Sequence, residues 1–332
     1  MTDSASRPTA GPQADGTWGV LLMAYGSPSR PEEVAPYYTH IRGGRPPSAE
    51  LLEELQGRYA AIGGRSPLPE ITERQASALE RRLNAGGGSW RVYVGMRHWQ
   101  PWIADAVRQM ADDGIRRAVG LALAPHDSRM SAGAYIEAAE RALEALEPER
   151  RPSVRYVRSW ATHPLLADAL ARRLQAVLET VGGEPVVLFT AHSLPERILS
   201  WDDPYPREVE ATCRAIVERV GLEPGRWRIA YQSQGRTAEP WLGPTLESAL
   251  QECARSGARD VVVCPVGFVA DHLEVLYDID IEARALADTL GLRLERTPSL
   301  NDAPDFIEAL ADIVMAAAAG RDRMADEEAS AL

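Results

Sequence analysis

The fold is decided by Val186–His192, whose sequence is VVLFTAH. This short run is apolar and β-branched, which is typical of a strand buried within a parallel sheet. A similar run, GVLLMAY, appears near the start of the chain at Gly19–Tyr25. Further runs of this kind occur at Arg91–Met96, Ala118–Ala124, Val154–Val157, Arg228–Gln232, Asp260–Val266 and Leu292–Arg296. We predict a strand at each of these positions.

Amphipathic stretches separate the strands and predict helices at Leu68–Leu83, Trp102–Asp112, Tyr135–Leu146, Pro164–Val181, Arg207–Val220 and Pro244–Ser256. Strands joined by helical crossovers form parallel sheets with helices on both faces. Because both halves of the chain show this pattern, we predict an α/β fold of two similar units facing each other across a cleft. We place a disordered tail at residues 1–17, the first unit at 18–160, the second at 161–318 and another tail at 319–332.

Charge and composition exclude several classes of function. The 332 residues include 36 basic side chains, all of them arginine, and 48 acidic ones, for a formal net charge of -12. Proteins that track phosphate backbones carry the opposite sign, so we expect no nucleic acid partner. No apolar run approaches the roughly 18 residues of a transmembrane helix, and residues 1–17 lack a signal-peptide pattern. We therefore expect a cytoplasmic protein with no transmembrane segment.

The connection after the first strand is unusually long. It runs over residues 26–68, whereas such loops usually have about 2–6 residues. Long excursions at the carboxyl end of a parallel sheet often build binding sites. Arg42 and Arg58 in this excursion could bind carboxylates, since a guanidinium binds them in bidentate fashion; surface arginines are the plainer alternative.

His192 ends its strand and should therefore project from the carboxyl edge of the second sheet. A structural histidine is the alternative to a catalytic one. Tyr25 occupies the corresponding place at the end of the first strand. Both side chains should consequently face the cleft.

An acidic series follows in the stretch FVADHLEVLYDIDIE, Phe268–Glu282. Glu274, Asp278 and Glu282 are spaced by four, so on an α-helix they would share one face within about 80°. A solvated acidic stripe is one reading, and a path for a hydrated divalent cation is the other. On such a helix His272 would point to a different side from Glu274.

Together these segments make the chain resemble the ferrochelatases. The resemblance extends from about Gly19 to about Asp312 and rests on LLMAYGSP, IRGG, GRYAAIGGRSPLP, FTAHSLP, YQSQG and DHLEVLYDIDIE, in the family's order. The combination of FTAHSLP with DHLEVLYDIDIE is the most specific part. It implies two Rossmann-like, chelatase-type domains, each a parallel sheet flanked by helices, with a porphyrin cleft between them.

The resemblance also implies roles for individual residues. It makes His192 and Glu274 the catalytic and metal-binding pair, with Asp278 and Glu282 continuing a metal or proton path. Whether His192 acts as a base or as a metal ligand stays open. The positions that match the porphyrin site are Tyr25, Arg42, Arg58, Tyr59, Ser66 and Tyr135.

Two features found in some ferrochelatases are not expected here. Cys213, Cys253 and Cys264 are the only cysteines in the sequence, too few for a four-cysteine iron–sulfur cluster, and we expect no membrane-anchoring extension of the kind other relatives carry. We expect no iron–sulfur cluster and no tightly bound cofactor, with Fe2+ as a substrate. We expect a monomer that makes transient contacts with neighbouring heme-pathway enzymes.

The expected reaction is insertion of ferrous iron into coproporphyrin III to give coproheme in heme biosynthesis. Several arginines in the excursion suit a ring with four propionates, and the sequence resembles the soluble, coproporphyrin-using branch of the family. The alternatives are a protoporphyrin IX ferrochelatase, a cobalt chelatase of another tetrapyrrole, a two-lobed solute-binding protein and a non-catalytic porphyrin or metal carrier.

Overall fold

Two parallel sheets of the same topology form the framework of the protein. The computed structural model describes residues 16–320, so most of the two expected tails lies outside the described residues. The first sheet consists of β1 (Trp18–Ala24), β2 (Trp90–Met96), β3 (Arg117–Ala122) and β4 (Ser153–Val157). The second consists of β5 (Val186–His192), β6 (Trp227–Gln232), β7 (Asp260–Cys264) and β8 (Arg293–Arg296).

The strand orders are β2-β1-β3-β4 and β6-β5-β7-β8, and every pairing within both sheets is parallel. Each strand of the second sheet therefore repeats the position of one strand in the first. This arrangement confirms the predicted pair of Rossmann-like units. It also makes β1 and β5 equivalent inner strands. Tyr25 directly follows β1, and His192 is the last residue of β5.

Helices flank both sheets. In chain order they are α1 (Val34–Ile41), α2 (Ala49–Ala61), α3 (Leu68–Asn84), α4 (Ile103–Asp112), α5 (Ala132–Glu144), α6 (Pro164–Val181), α7 (Tyr205–Val220), α8 (Leu246–Arg255), α9 (Leu273–Leu276), α10 (Arg284–Thr289) and α11 (Pro304–Ala318). Three 3-10 turns add Pro31–Glu33, Pro148–Arg150 and Glu196–Trp201. Within residues 16–320, none of the helices has the length and apolar character needed to cross a membrane.

A single apolar core connects the two sheets. Along β1, Val20 and Leu22 face this shared core, whereas Leu21 and Met23 face a second cluster under α4 and α5. Phe189 of β5 belongs to the same shared core. Because both faces of each inner strand are buried, the strands read as continuous apolar runs in the sequence.

The last helix, α11, strengthens this connection between the sheets. It packs against α6 and also against α3, β3 and β4 of the first sheet. Arg82 of α3 pairs with Glu308 of α11 through two contacts of 2.5 and 2.6 Å. The chain thus returns to its first half before it ends.

The excursion after β1 contains the helices α1 and α2, which the sequence patterns did not predict. Val34, Leu55 and Tyr59 from this excursion form a small apolar cluster with Leu273 of α9. Tyr37 donates a hydrogen bond of 2.8 Å to the Gly26 carbonyl, which ties α1 to the end of β1. The excursion therefore spans from the first sheet to the second unit.

The continuous α-helix assumed for the acidic series is wrong. Only Leu273–Leu276 is α-helical, and Asp278–Ala283 forms a π-helix. The Glu282 amide donates to the Tyr277 carbonyl at 2.9 Å, the i to i+5 bond that defines this geometry. Such local widening of a helix occurs frequently at functional sites.

Gly267 offers a test of how tightly the end of β5 is packed. A Cβ atom at this position would lie 2.8 Å from the Ala191 Cα, a backbone atom that cannot move aside cheaply. We expect Gly267→Ala to lower the free energy of unfolding by about 1–3 kcal/mol, as overpacking does. Urea denaturation measures this change.

The matched control is Gly57→Ala. Gly57 is exposed in α2, and a Cβ there would have nothing within 4 Å. This change should leave stability equal or raise it by about 0.5–1 kcal/mol, because alanine favours helix. Equal stability of the Gly267→Ala variant and the parent protein would contradict the packing described.

Candidate active site

The candidate residues gather at the carboxyl edges of the two sheets. His192 is the last residue of β5, and Tyr25 directly follows β1. Ligands of open α/β folds bind at these edges. The equivalent positions of β1 and β5 thus give each unit one candidate side chain.

His192 and Glu274 lie next to each other. The Nε2 atom of His192 is 3.5 Å from the Glu274 Oε1 atom, and each side chain is 34% exposed. The other ring nitrogen, Nδ1, donates to the Ser193 carbonyl, so in a neutral ring Nε2 carries the lone pair. The Tyr205 hydroxyl donates to the His192 carbonyl at 2.8 Å, which secures the backbone at this point.

A second imidazole lies on the other side of Glu274. The His272 Nε2 atom is 3.6 Å from Glu274 Oε2, which corrects the expectation that His272 points away. The reason is local: His272 has extended backbone angles and precedes α9, so helical spacing does not apply to it. Its Nδ1 atom is buried and has no hydrogen-bond partner among the described residues.

The two imidazoles control the ionisation of Glu274. Burial favours the protonated acid, but the His192 and His272 rings outweigh it and hold the pKa of Glu274 well below its usual range. For His192, burial lowers the pKa, whereas the charge and hydrogen bond of Glu274 raise it above the ordinary value overall. The pair therefore favours an imidazolium beside a carboxylate when no metal is bound.

The acidic series leads from this pair to the surface. Side-chain exposure is 34% at Glu274, 12% at Asp278 and 47% at Glu282. The Ser233 hydroxyl donates to Asp278. Burial and the nearby Glu274 charge raise the pKa of Asp278 to about 7, so it can accept and release a proton near neutral pH.

Arg58 contacts this series rather than standing free in the excursion. Its guanidinium lies 3.3 Å from Asp278 Oδ1 and 3.4 Å from Glu282 Oε1, and it sits 4.8 Å above the Tyr277 ring. Glu54 of α2 pairs with it at 3.2 Å. The excursion thus brings a positive charge against the acidic series.

The first unit contributes an aromatic and cationic wall. Tyr25 is 39% exposed, and its ring packs 4.5 Å from the ring of His98. Arg97 directly follows β2, its amide donates to the Ala24 carbonyl at 2.9 Å, and its guanidinium lies 5.9 Å from the buried Tyr135 ring. Partial removal of the phenol from solvent and the Glu274 charge raise the pKa of Tyr25 above its ordinary value, so the phenol stays protonated at neutral pH.

The remaining candidates have different surroundings. Arg42 is exposed at the C-terminal end of α1. Tyr59 is buried, with its hydroxyl 3.3 Å from the Ser27 hydroxyl. Ser66 is buried and accepts a hydrogen bond of 3.3 Å from the Leu68 amide at the start of α3.

Sequence reasoning did not single out Arg97, His98 or Ser233. Arg97 and His98 directly follow β2, and Ser233 directly follows β6. The position of a polar residue after a strand is the signal that could have identified these three, as it identified His192.

The arrangement suits transient binding of a divalent ion. An imidazole and a carboxylate are good ligands for borderline metals, and two protein ligands leave positions open for another ligand. Among residues 16–320, no group of three or more histidine, cysteine or acidic side chains is arranged to hold a metal ion. The same two groups can also accept protons.

The family model and the similar proteins agree on one family. The ferrochelatase family model matches residues 17–318. A ferrochelatase of Thermus thermophilus is 49% identical over 317 residues, covering 90% of this chain and 98% of that protein. A protein of Geobacillus kaustophilus named coproporphyrin III ferrochelatase is 42% identical over 306 residues, covering 90% and 95%.

A solved structure shows the same fold. The sirohydrochlorin chelatase of Bacillus subtilis subspecies spizizenii, in complex with cobalt, aligns with a TM-score of 0.55. The alignment covers 91% of this chain and 95% of that chain at 12% identity. At this identity the likeness concerns the architecture of the two units.

Proposed function

The chain belongs to the ferrochelatase family, and from this premise we propose that it inserts ferrous iron into coproporphyrin III to form coproheme in heme biosynthesis. Insertion of iron into a porphyrin is the activity that family membership supports. The observation that carries the proposal is the His192–Glu274 pair, 3.5 Å apart at the carboxyl edge of β5. A non-catalytic carrier would not need this pair beside an acidic path.

The pair has two tasks in this reaction. Insertion joins one Fe2+ to the ring nitrogens and releases two protons from the pyrrole N–H groups. His192 and Glu274 can hold the entering ion and can also take up the released protons. Both tasks require the neutral His192 ring, so the imidazolium must first release its Nε2 proton. The Nδ1 hydrogen bond to Ser193 then leaves the Nε2 lone pair free.

Asp278 and Glu282 deliver the metal and remove protons in this proposal. Carboxylate oxygens bind hydrated divalent cations weakly and reversibly, which suits transfer. Support comes from the half-exposed Glu282 carboxylate and from the contact of both acids with Arg58. An ion that uses this path competes with Arg58 for the carboxylates.

The porphyrin is proposed to lie between the Tyr25 wall and the His192–Glu274 pair. Tyr25, Tyr59, Tyr135 and Ser66 would line the ring, and Arg42 and Arg58 would meet propionates at the rim. Arg58 contacts Asp278 and Glu282 in the structure, so it must give up these contacts in order to pair with a propionate. The choice of a four-propionate ring is supported by relatives named coproporphyrin III ferrochelatases at 42% identity.

We further propose that the protein acts in the cytoplasm as a monomer, without an iron–sulfur cluster or another tightly bound cofactor. Support for the missing cluster is that Cys213, Cys253 and Cys264 are buried, unpaired thiols and are one fewer than four ligands require. Iron and sulfide analysis of the purified protein tests whether a cluster is present.

Replacing either member of the pair tests the site. We expect His192→Ala and Glu274→Gln each to lower kcat by about 100-fold or more, because a general acid–base group contributes about that much. Porphyrin affinity should stay within a few-fold, since the ring is held mainly at its edges. Anaerobic iron-insertion assays and porphyrin fluorescence quenching measure the two quantities.

Two outcomes would contradict these roles. Turnover near that of the parent protein would show that the pair is not used in insertion. A parallel loss of porphyrin binding in both variants would show that the pair holds the ring rather than the metal.

Competition between two porphyrins tests the substrate. With coproporphyrin III and protoporphyrin IX present at equal concentrations under anaerobic conditions, we expect a higher kcat/KM for coproporphyrin III, because only this ring offers four carboxylates to the arginines. Separation of the two iron porphyrins by chromatography gives the ratio. A preference for protoporphyrin IX would reject the proposed substrate and leave iron insertion in place.

A further inference from the structure

A second pair of imidazoles lies in the first unit, on elements separate from His192 and Glu274. His40 is at the end of α1 and exposed, and His98 follows β2 and is buried. Their Nδ1 atoms are 3.1 Å apart, and the ring centroids are 5.2 Å apart. The pair therefore brings together two segments that are far apart in the chain.

Each ring is held by its own surroundings. The His98 amide donates to the Tyr25 carbonyl at 2.9 Å, and its ring packs 4.5 Å from the Tyr25 ring. The His40 ring lies 4.8 Å from the ring of Trp102. Because the two imidazoles are positioned by different contacts, their nitrogens are brought together before any ligand arrives.

The separation of the nitrogens suits a shared metal ion. Two imidazole nitrogens at about 2.0–2.1 Å from one Zn2+ ion are roughly 3 Å apart when the angle at the metal is between about 90° and 110°. The observed 3.1 Å falls at this separation. Burial, with smaller effects of Arg97 and His40, lowers the pKa of His98 to about 3, so this ring is neutral near pH 7.

We propose that His40 and His98 form a second site for an imidazole-preferring divalent ion, with Zn2+ as the representative of this class. Without the ion, the two Nδ1 atoms share a hydrogen bond, and one of them carries its hydrogen. On binding, that proton leaves for solvent while the Nε2 atom of the same ring gains one, so both Nδ1 lone pairs face the ion. Water completes the coordination on the exposed side of His40.

The site lies behind the Tyr25 wall of the cleft. The proposed metal site consists of His40 and His98 and does not include His192 or Glu274. The proposal therefore does not depend on which porphyrin the protein uses. An ion there would bind to the His98 imidazole, the ring against which Tyr25 packs. The site would therefore respond to an excess of transition metal without consuming the porphyrin.

Zn2+ titration of the full-length His192→Ala/Glu274→Gln variant tests the proposal without competition from the first pair. The readout is the 15N resonance of the His98 Nδ1 atom, which shifts when this nitrogen binds a metal. We expect the shift at micromolar Zn2+. Adding His40→Gln, an exposed position that does not threaten folding, should weaken the apparent Zn2+ affinity read at His98 by about tenfold or more.

A matched control uses another imidazole with a nearby acid. His163 Nε2 lies 3.2 Å from Asp312 Oδ2, and His163→Gln should leave the His98 response unchanged. Three results would overturn the proposal: no His98 shift up to millimolar Zn2+, a shift that His40→Gln does not weaken, or a shift lost on His163→Gln instead.

Discussion

The rest of the site depends on the contact of the Glu274 carboxylate with two imidazoles, those of His192 and His272. A buried carboxyl group without partners would be protonated, because burial disfavours its charge. With one imidazole at 3.5 Å and another at 3.6 Å, Glu274 stays ionised inside the cleft. An ionised acid beside a titratable imidazole can exchange a proton for a metal ion.

The fold supports this arrangement from several directions. β5 ends at His192, and the Gln232 side chain at the end of β6 donates to the Glu274 carbonyl at 2.7 Å. The shared core and α11 join the second sheet to the first, so the wall that carries Tyr25 faces the pair at a defined place. The excursion then reaches the acidic path through Arg58. The parts of the cleft are consequently supplied by both halves of the chain.

Much of the framework could be predicted from the sequence. Each observed strand lies within two residues of its predicted bounds, since strands buried on both faces give unbroken apolar runs. The helices α1 and α2 were missed because the prolines and glycine pairs around them resemble a loop. The π-helix could not be predicted, since residues spaced by four suit an ordinary α-helix equally well. His272 was misplaced because it is extended and precedes α9, so helical spacing does not apply to it. Arg97 and His98 directly follow a predicted strand, but only the structure shows that they lie beside Tyr25.

Measuring the pKa of His192 by 15N NMR, in the parent protein and in Glu274→Gln, tests the central interaction most directly. We expect a pKa above about 6.5, the ordinary histidine value, in the parent protein, because the Glu274 carboxylate favours the imidazolium. In Glu274→Gln the burial of the ring is no longer offset by that charge, so the pKa should fall relative to the parent protein. An equal pKa in the two proteins would show that His192 and Glu274 do not act as a coupled pair.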